Sequence, residues 1–108
     1  MSYHCVNVDI DLNVSTEEWL RHCEKVVEVM RSLPGLEWKV WLADAEAGTA
    51  GGVYLFRDAA SANAYASGPI LAQLRTSPLV RAVRVRVSPV AEDLSRRTRG
   101  APQVEAAE

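Results

Sequence analysis

Between Pro34 and Asp58 the chain reads PGLEWKVWLADAEAGTAGGVYLFRD, two strand-like runs separated by small, acidic and glycine-containing residues. Leu36 to Asp44 concentrates Trp, Val and Leu, which suit a pleated, buried surface. Ala45 to Ala50 has loop chemistry, and Gly51 to Arg57 returns to strand character with Val53, Tyr54, Leu55 and Phe56. The pattern predicts an antiparallel hairpin with a six-to-eight-residue connection. Pro34-Gly35 ends whatever helix precedes it. Gly51-Gly52, at the start of the second strand, is expected to be a bulge rather than a phosphate cradle. A chain holding such a hairpin must find further strands to pair with it and helices to cover at least one face.

The remaining sequence supplies both. Tyr3 to Leu12 alternates, with Val6, Val8, Ile10 and Leu12 on one face and Cys5, Asn7, Asp9 and Asp11 on the other, which predicts a strand. Ser15 and Glu18 have the spacing of a capping box. A helix is then expected from about Thr16 to Leu33, its apolar stripe made by Trp19, Cys23, Val26, Val27, Met30 and Leu33. Asp58 is placed to cap a second, alanine-rich helix, Ala59 to Ser67, whose one large side chain is Tyr65. Gly68-Pro69 ends it and starts a short helix, Ile70 to Arg75, with Ile70, Leu71 and Leu74 inward. A last strand, Leu79 to Ser88, alternates Val83, Val85 and Val87 with Arg84 and Arg86. The order strand, helix, strand, strand, helix, strand predicts an α+β domain of ferredoxin-like βαββαβ type with a four-stranded antiparallel sheet. Residues 1–90 would form that domain and 91–108 a C-terminal tail. The closing APQVEAAE is expected to be disordered.

A chain of 108 residues is one domain, long enough to bury roughly two-thirds of its unfolded surface. A net charge of −2 gives no reason to expect nucleic acid. No run approaches the roughly 18 apolar residues that span a bilayer, and MSYHCVNVDIDL lacks the order of a signal peptide. Cys5 and Cys23 match no metal or redox spacing. Two reduced thiols and a cytoplasmic location are expected.

PGLEWKVW, the acidic loop, GGVYLF and the Ser/Ala-rich helix ending AYASG resemble the YdhR-type mono-oxygenases. These belong to the superfamily of dimeric α+β barrels that includes the antibiotic-biosynthesis mono-oxygenases. The resemblance covers Pro34 to Arg75 and reaches VAEDLSRRTRG in the tail. It implies two ferredoxin-like sheets packed face to face in a homodimer, a dimeric α+β barrel. It also implies a tail carrying Arg96, Arg97 and Arg99 across the partner. The residues point the same way independently. Trp38, Val40 and Leu42 oppose Trp41 on the hairpin, so both sheet faces carry large apolar groups, and helices can cover only one.

Chemistry is expected in an apolar pocket between sheet and helices. The alanine-rich helix has too little bulk to fill that gap, so Trp38, Trp41, Tyr54 and Tyr65 either plug it or line a cavity. Trp38 and Trp41 face opposite sides of their strand; which of them meets the pocket stays open. Asn7 is the best polar candidate, as a ligand hook or a satisfied interior amide. In the superfamily an Asn on the first strand works with an aromatic residue on the second helix, which implies a catalytic pair of Asn7 and Tyr65. His22, at the edge of the helix stripe, is a candidate general base or a solvated histidine. Trp38, Trp41, Tyr54, Ile70 and Arg84 are candidate substrate contacts, Arg84 alternatively guarding a strand edge. His4, His22 and Asp9 do not match an iron-site spacing, and neither a CxxC nor a serine elbow is present. No metal or cofactor is expected. The resemblance implies a small cofactor-independent mono-oxygenase acting on an electron-rich aromatic or polyketide-like molecule. An isomerase or cyclase, or a non-enzymatic binding dimer, would use the same pocket.

Overall fold

The computed structural model describes residues 2–102 of the chain. Four strands, β1 (His4–Leu12), β2 (Leu36–Asp44), β3 (Thr49–Phe56) and β4 (Val80–Pro89), form one sheet in the order β2-β3-β1-β4. Every pairing is antiparallel. Helices α1 (Thr16–Glu24) and α2 (Val27–Arg31) follow β1, α3 (Ala59–Ala66) and α4 (Pro69–Thr76) link β3 to β4, and α5 (Glu92–Arg97) follows the sheet. This is the ferredoxin-like α+β fold.

Alternation in β1 decides the two faces of the sheet. Val6, Val8, Ile10 and Leu12 are all buried and join the core with Tyr54, Phe56, Ala62, Tyr65 and Leu71. Burying such side chains stabilises by about 1.5–3 kcal/mol each. In register, Val6 meets Tyr54 and Val87, and Ile10 meets Ala50 and Val83. The helix-side face therefore runs unbroken across three strands. The opposite face carries Asn7 against Val53 and Arg86, with Trp38 beside Leu55 and Val40 beside Val53. Val40 and Leu42 remain about half exposed, at 49% and 46%.

Helix starts follow their capping chemistry. Ser15 Oγ accepts from the Glu18 amide at 3.1 Å, and Asp58 Oδ1 accepts from the Ser61 amide at 2.7 Å. These side chains satisfy amides that a first helical turn leaves without a backbone partner.

Four expectations need correction. The single helix from Thr16 to Leu33 is two, because Lys25 and Val26 donate to the carbonyls three residues back, of His22 and Cys23. The β-branched pair Val26-Val27 at the break weakens helix continuation. The hairpin connection is shorter than expected: β3 already begins at Thr49, and the Asp44 carboxylate accepts from the Glu46 and Ala47 amides. Gly51 and Gly52 are not a bulge, since the ladder passes through them without a shift; the irregularities lie at Leu36/Trp38 and Asp11/Leu12. Finally, the disorder expected at the end of the tail does not start at Ala101, and the tail before it is ordered. It contains α5, its Glu92 carboxylate accepts from the Tyr3 amide at 2.9 Å, and Arg96 Nε donates to the Pro102 carbonyl at 3.1 Å. Ala101, the first of the eight residues expected to be disordered, is buried. Residues 103–108 lie outside the described residues.

Candidate functional site

Space does remain between the sheet and the helices, bounded by α1, α4 and Tyr65 rather than by the alanines of α3, and the aromatic side chains fill only part of it. Tyr54, Phe56 and Tyr65 form a cluster, with ring centroids 4.7 Å apart for Tyr54–Tyr65 and 5.7 Å for Phe56–Tyr65. Beside this cluster a cavity of about 330 Å³ remains between the sheet and the helices. Its floor is Val8, Ile10, Trp41 and Tyr54, and its walls come from Trp19, His22 and Cys23 of α1, Tyr65 of α3, and Ile70, Leu71, Gln73 and Leu74 of α4. Such a volume lies at the small end of ligand sites. Tyr65 and Ile70 also border a second apolar groove, of about 420 Å³, formed with Leu33, Pro34 and Phe56.

Five of the eight candidate residues meet in the first cavity: His22, Trp41, Tyr54, Tyr65 and Ile70. The open question of the two tryptophans is answered by register. Trp41 lies opposite Gly52 on the helix side, whereas Trp38 lies opposite Leu55 on the other face. Asn7 is likewise removed from this cavity. Its neighbours Val6 and Val8 point into the core, so Asn7 points away, between Val53 and Arg86. Arg84 shares that outer face and is bonded through both terminal nitrogens to the Asp11 carboxylate, at 3.1 Å each. That pair holds Asp11 below the usual carboxylate range. A cation so engaged, on the wrong face, is no substrate contact for the helix-side cavity.

Polar groups in the cavity are few. The Tyr54 and Tyr65 hydroxyls are hydrogen-bonded to each other at 2.7 Å, and burial raises both phenols above their ordinary value. His22 sits at the exposed rim with its ring 5.4 Å from that of Trp19. Cys23 is a buried free thiol, raised by burial; Cys5 is also free.

Lys39 was missed by sequence reasoning. It shares the inward face of β2 with Trp41, and its Nζ lies 3.4 Å from the Trp41 ring centroid and 4.5 Å from that of Tyr54. Desolvation lowers its pKa to about 8. A Cβ at Gly52 would stand 2.9 Å from Lys39 Cε, so the bare glycine gives the lysine stem its place. The available signal was parity: Lys39 and Trp41 are two apart, as are Trp38 and Val40. Among the described residues, no cluster of three His, Cys, Asp or Glu side chains could hold a metal ion. Nor is any helix among them long and apolar enough to cross a membrane.

A four-stranded antiparallel sheet in the order β2-β3-β1-β4, with an apolar cavity under its helices, defines the class as ferredoxin-like α+β. Within that class the chain belongs to the family described as "Putative mono-oxygenase ydhR", whose model matches residues 5–101. The fold is shared with a Nitrosomonas europaea protein of unknown function, at a TM-score of 0.70 and 15% identity over 98% of this chain and 97% of that one. An antibiotic-biosynthesis mono-oxygenase from Chloroflexus aurantiacus, itself so described only provisionally, aligns with a TM-score of 0.61 and 17% identity, covering 83% and 94%. The heme-degrader MhuD of Mycobacterium tuberculosis aligns at 0.58 and 15%, covering 81% and 95%. No curated protein matches the chain at a significant level.

Proposed function

We propose that the chain is one subunit of a homodimeric, cofactor-independent mono-oxygenase that oxidises an electron-rich aromatic or polyketide-like small molecule. The observation that supports this is the cavity of about 330 Å³ with largely apolar walls, a histidine at its mouth and a tyrosine pair inside. Membership of the mono-oxygenase family supplies the reaction class.

In this chemistry the substrate is its own reductant. A phenol gives its proton to the His22 imidazole at the rim, which passes it to solvent. The phenolate transfers one electron to dioxygen, and the resulting radical and superoxide join in a carbon–oxygen bond. Breakage of the O–O bond with loss of water leaves a quinone, so phenol plus dioxygen gives quinone plus water. All four electrons come from the substrate. The protein's part is to orient the ring, exclude water and accept the proton. Trp41, Tyr54 and Ile70 provide apolar surface for the ring. Tyr65, held protonated by burial, donates a hydrogen bond to the oxygen that becomes anionic.

Oxygen consumption with a dihydroxynaphthalene or anthrone tests the reading. Uptake equal to product formed is expected, reduced by about 100-fold in His22→Ala, within the range of general-base contributions. Conversion under strict anaerobiosis would make the protein an isomerase or cyclase instead. Saturable binding without any turnover would make it a binding protein. The homodimer is supported by the half-exposed Val40 and Leu42 on the sheet face opposite the helices; across it the C-terminal tail would reach the partner.

A further inference from the structure

We propose that Lys39 is the anion-binding group of the helix-side cavity, so that the ligand is a flat aromatic molecule carrying one negative group, a phenolate or a carboxylate. The proposal rests on reading this cavity as the ligand site, and it adds the charge of the ligand and the residue that selects it.

Three observations carry it. Lys39 lines a cavity whose other side chains are mostly apolar, with no carboxylate among them. Its ammonium makes no hydrogen bond or ion pair with any described residue; its neighbours are the faces of Trp41 and Tyr54. Ring faces attract a cation, but they leave all three N–H donors without a protein acceptor. A desolvated ammonium in that state gains most from an anionic oxygen. Lastly, Gly52 opposite Trp41 leaves the room in which the lysine stem lies. The same two rings that flank the ammonium offer flat surface to an aromatic ligand. A molecule that lays a ring beside Trp41 and presents an anionic oxygen to Nζ therefore uses every feature of the place. Once His22 has taken its proton, a phenol would be held there as its phenolate, the form that gives an electron to oxygen.

The groups around Lys39 allow a clean pH test. His22 and Cys23 face the cavity from α1, Tyr54 from β3 and Tyr65 from α3, while the one polar side chain from α4 is the neutral Gln73 and Ser77 follows that helix. Arg31 and Glu37 border a shallower groove that Lys39 shares, and each is paired, with Glu28 and Arg57 respectively. Burial raises Cys23 and both tyrosines, so each holds its proton to a higher pH than usual. Lys39 is the group expected to lose its charge near pH 8.

The probes are 2-naphthoate, ionised throughout this range, and its neutral relative 2-naphthalenemethanol, with affinities measured by calorimetry from pH 7 to 9.5. At pH 7 the acid is expected to bind at least about tenfold more tightly than the alcohol, as a charge-assisted hydrogen bond implies. Its affinity should fall as pH rises past about 8, towards tenfold for each unit, while that of the alcohol stays level. Lys39→Met should abolish the preference and keep the binding of the alcohol. The wild-type pH series needs no variant, so a folding defect in Lys39→Met would not hide the answer. Equal affinities for acid and alcohol, or a preference that survives in Lys39→Met or at pH 9.5, would overturn the assignment, as would failure of both probes to bind. Selective naphthoate binding in a protein that consumes no oxygen would leave Lys39 its role and remove the mono-oxygenase.

Discussion

The Tyr54 and Tyr65 hydroxyls each complete the other's hydrogen bonding, 2.7 Å apart on neighbouring elements. Removing one leaves its partner's buried hydroxyl stranded, which costs about 1–3 kcal/mol. Removing both takes away the need along with the bond. In urea denaturation, Tyr54→Phe and Tyr65→Phe are each expected to lose about 1 kcal/mol or more, and the double variant clearly less than their sum. Additive losses would mean that the bond contributes nothing. The pH dependence has a definite sign. Both phenols titrate higher in the folded chain than their ordinary value of 10.0, so the unfolded chain gives up these protons first. Their contribution is complete below pH 10 and is lost as pH rises above it. The two raised thiols begin the same decline from 9.0. The double Phe variant should therefore show a shallower alkaline loss than the wild type. Tyr54 and Tyr65 were both legible in the sequence as large rings beside a helix of small residues. Lys39 was not, because a lysine between two tryptophans looks like a solvated edge until its partner strand is in register.

At the scale of the strands, Gly51 and Gly52 serve close approach rather than irregularity. A side chain at Gly51, whose φ is 157°, would collide with the Val8 carbonyl. Gly48, at φ 69°, faces open space. Gly51→Ala is thus expected to lose about 3 kcal/mol or more, since steric conflict with backbone of the neighbouring strand belongs to the severe class. Gly48→Ala should lose only about 1 kcal/mol, the cost of the left-handed conformation alone. Thermal melts of the two variants side by side decide whether the clash or the backbone angle matters more. What the sequence made legible at this scale was chemistry local to a few residues: the Ser15 and Asp58 caps, the alternation of β1 and β4, and the Gly68-Pro69 boundary. The break at Lys25-Val26 depends on which of two competing carbonyls an amide finds, and apolar spacing carries no trace of that choice. Helix α5 is held by tertiary bonds, Glu92 to the Tyr3 amide and Arg96 to the Pro102 carbonyl. A six-residue helix has little stability of its own for a pattern to reveal.

For the whole molecule, parity along each strand sorts residues into two sets, but only register between strands says which sets share a face. That is why a cavity was foreseeable while its lining was not: Asn7 and Arg84, offered as pocket residues, lie on the outer face, and so does Trp38, whose side the sequence left open. Register leaves the outer face divided in character. Its β2–β3 half carries Trp38, Val40, Leu42 and Val53, and its β1–β4 half carries Asn7, Asp9, Asp11, Arg84 and Arg86. The apolar half, with Val40 and Leu42 near half exposure, is the kind of patch that marks an association surface. In the proposed homodimer it is covered by a second copy, and the Arg84–Asp11 pair belongs to the rim, where exposed ion pairs contribute little. Light scattering of the wild-type chain at micromolar concentration should give twice the 11.9 kDa of one chain. Leu42→Asp, which places an unpaired carboxylate in the middle of that apolar half, should give monomers that keep their helical and strand signature in circular dichroism. Arg84→Ala should remain dimeric. A monomeric wild type would remove the dimer, and a Leu42→Asp variant that still dimerises would move the interface to another surface of the subunit.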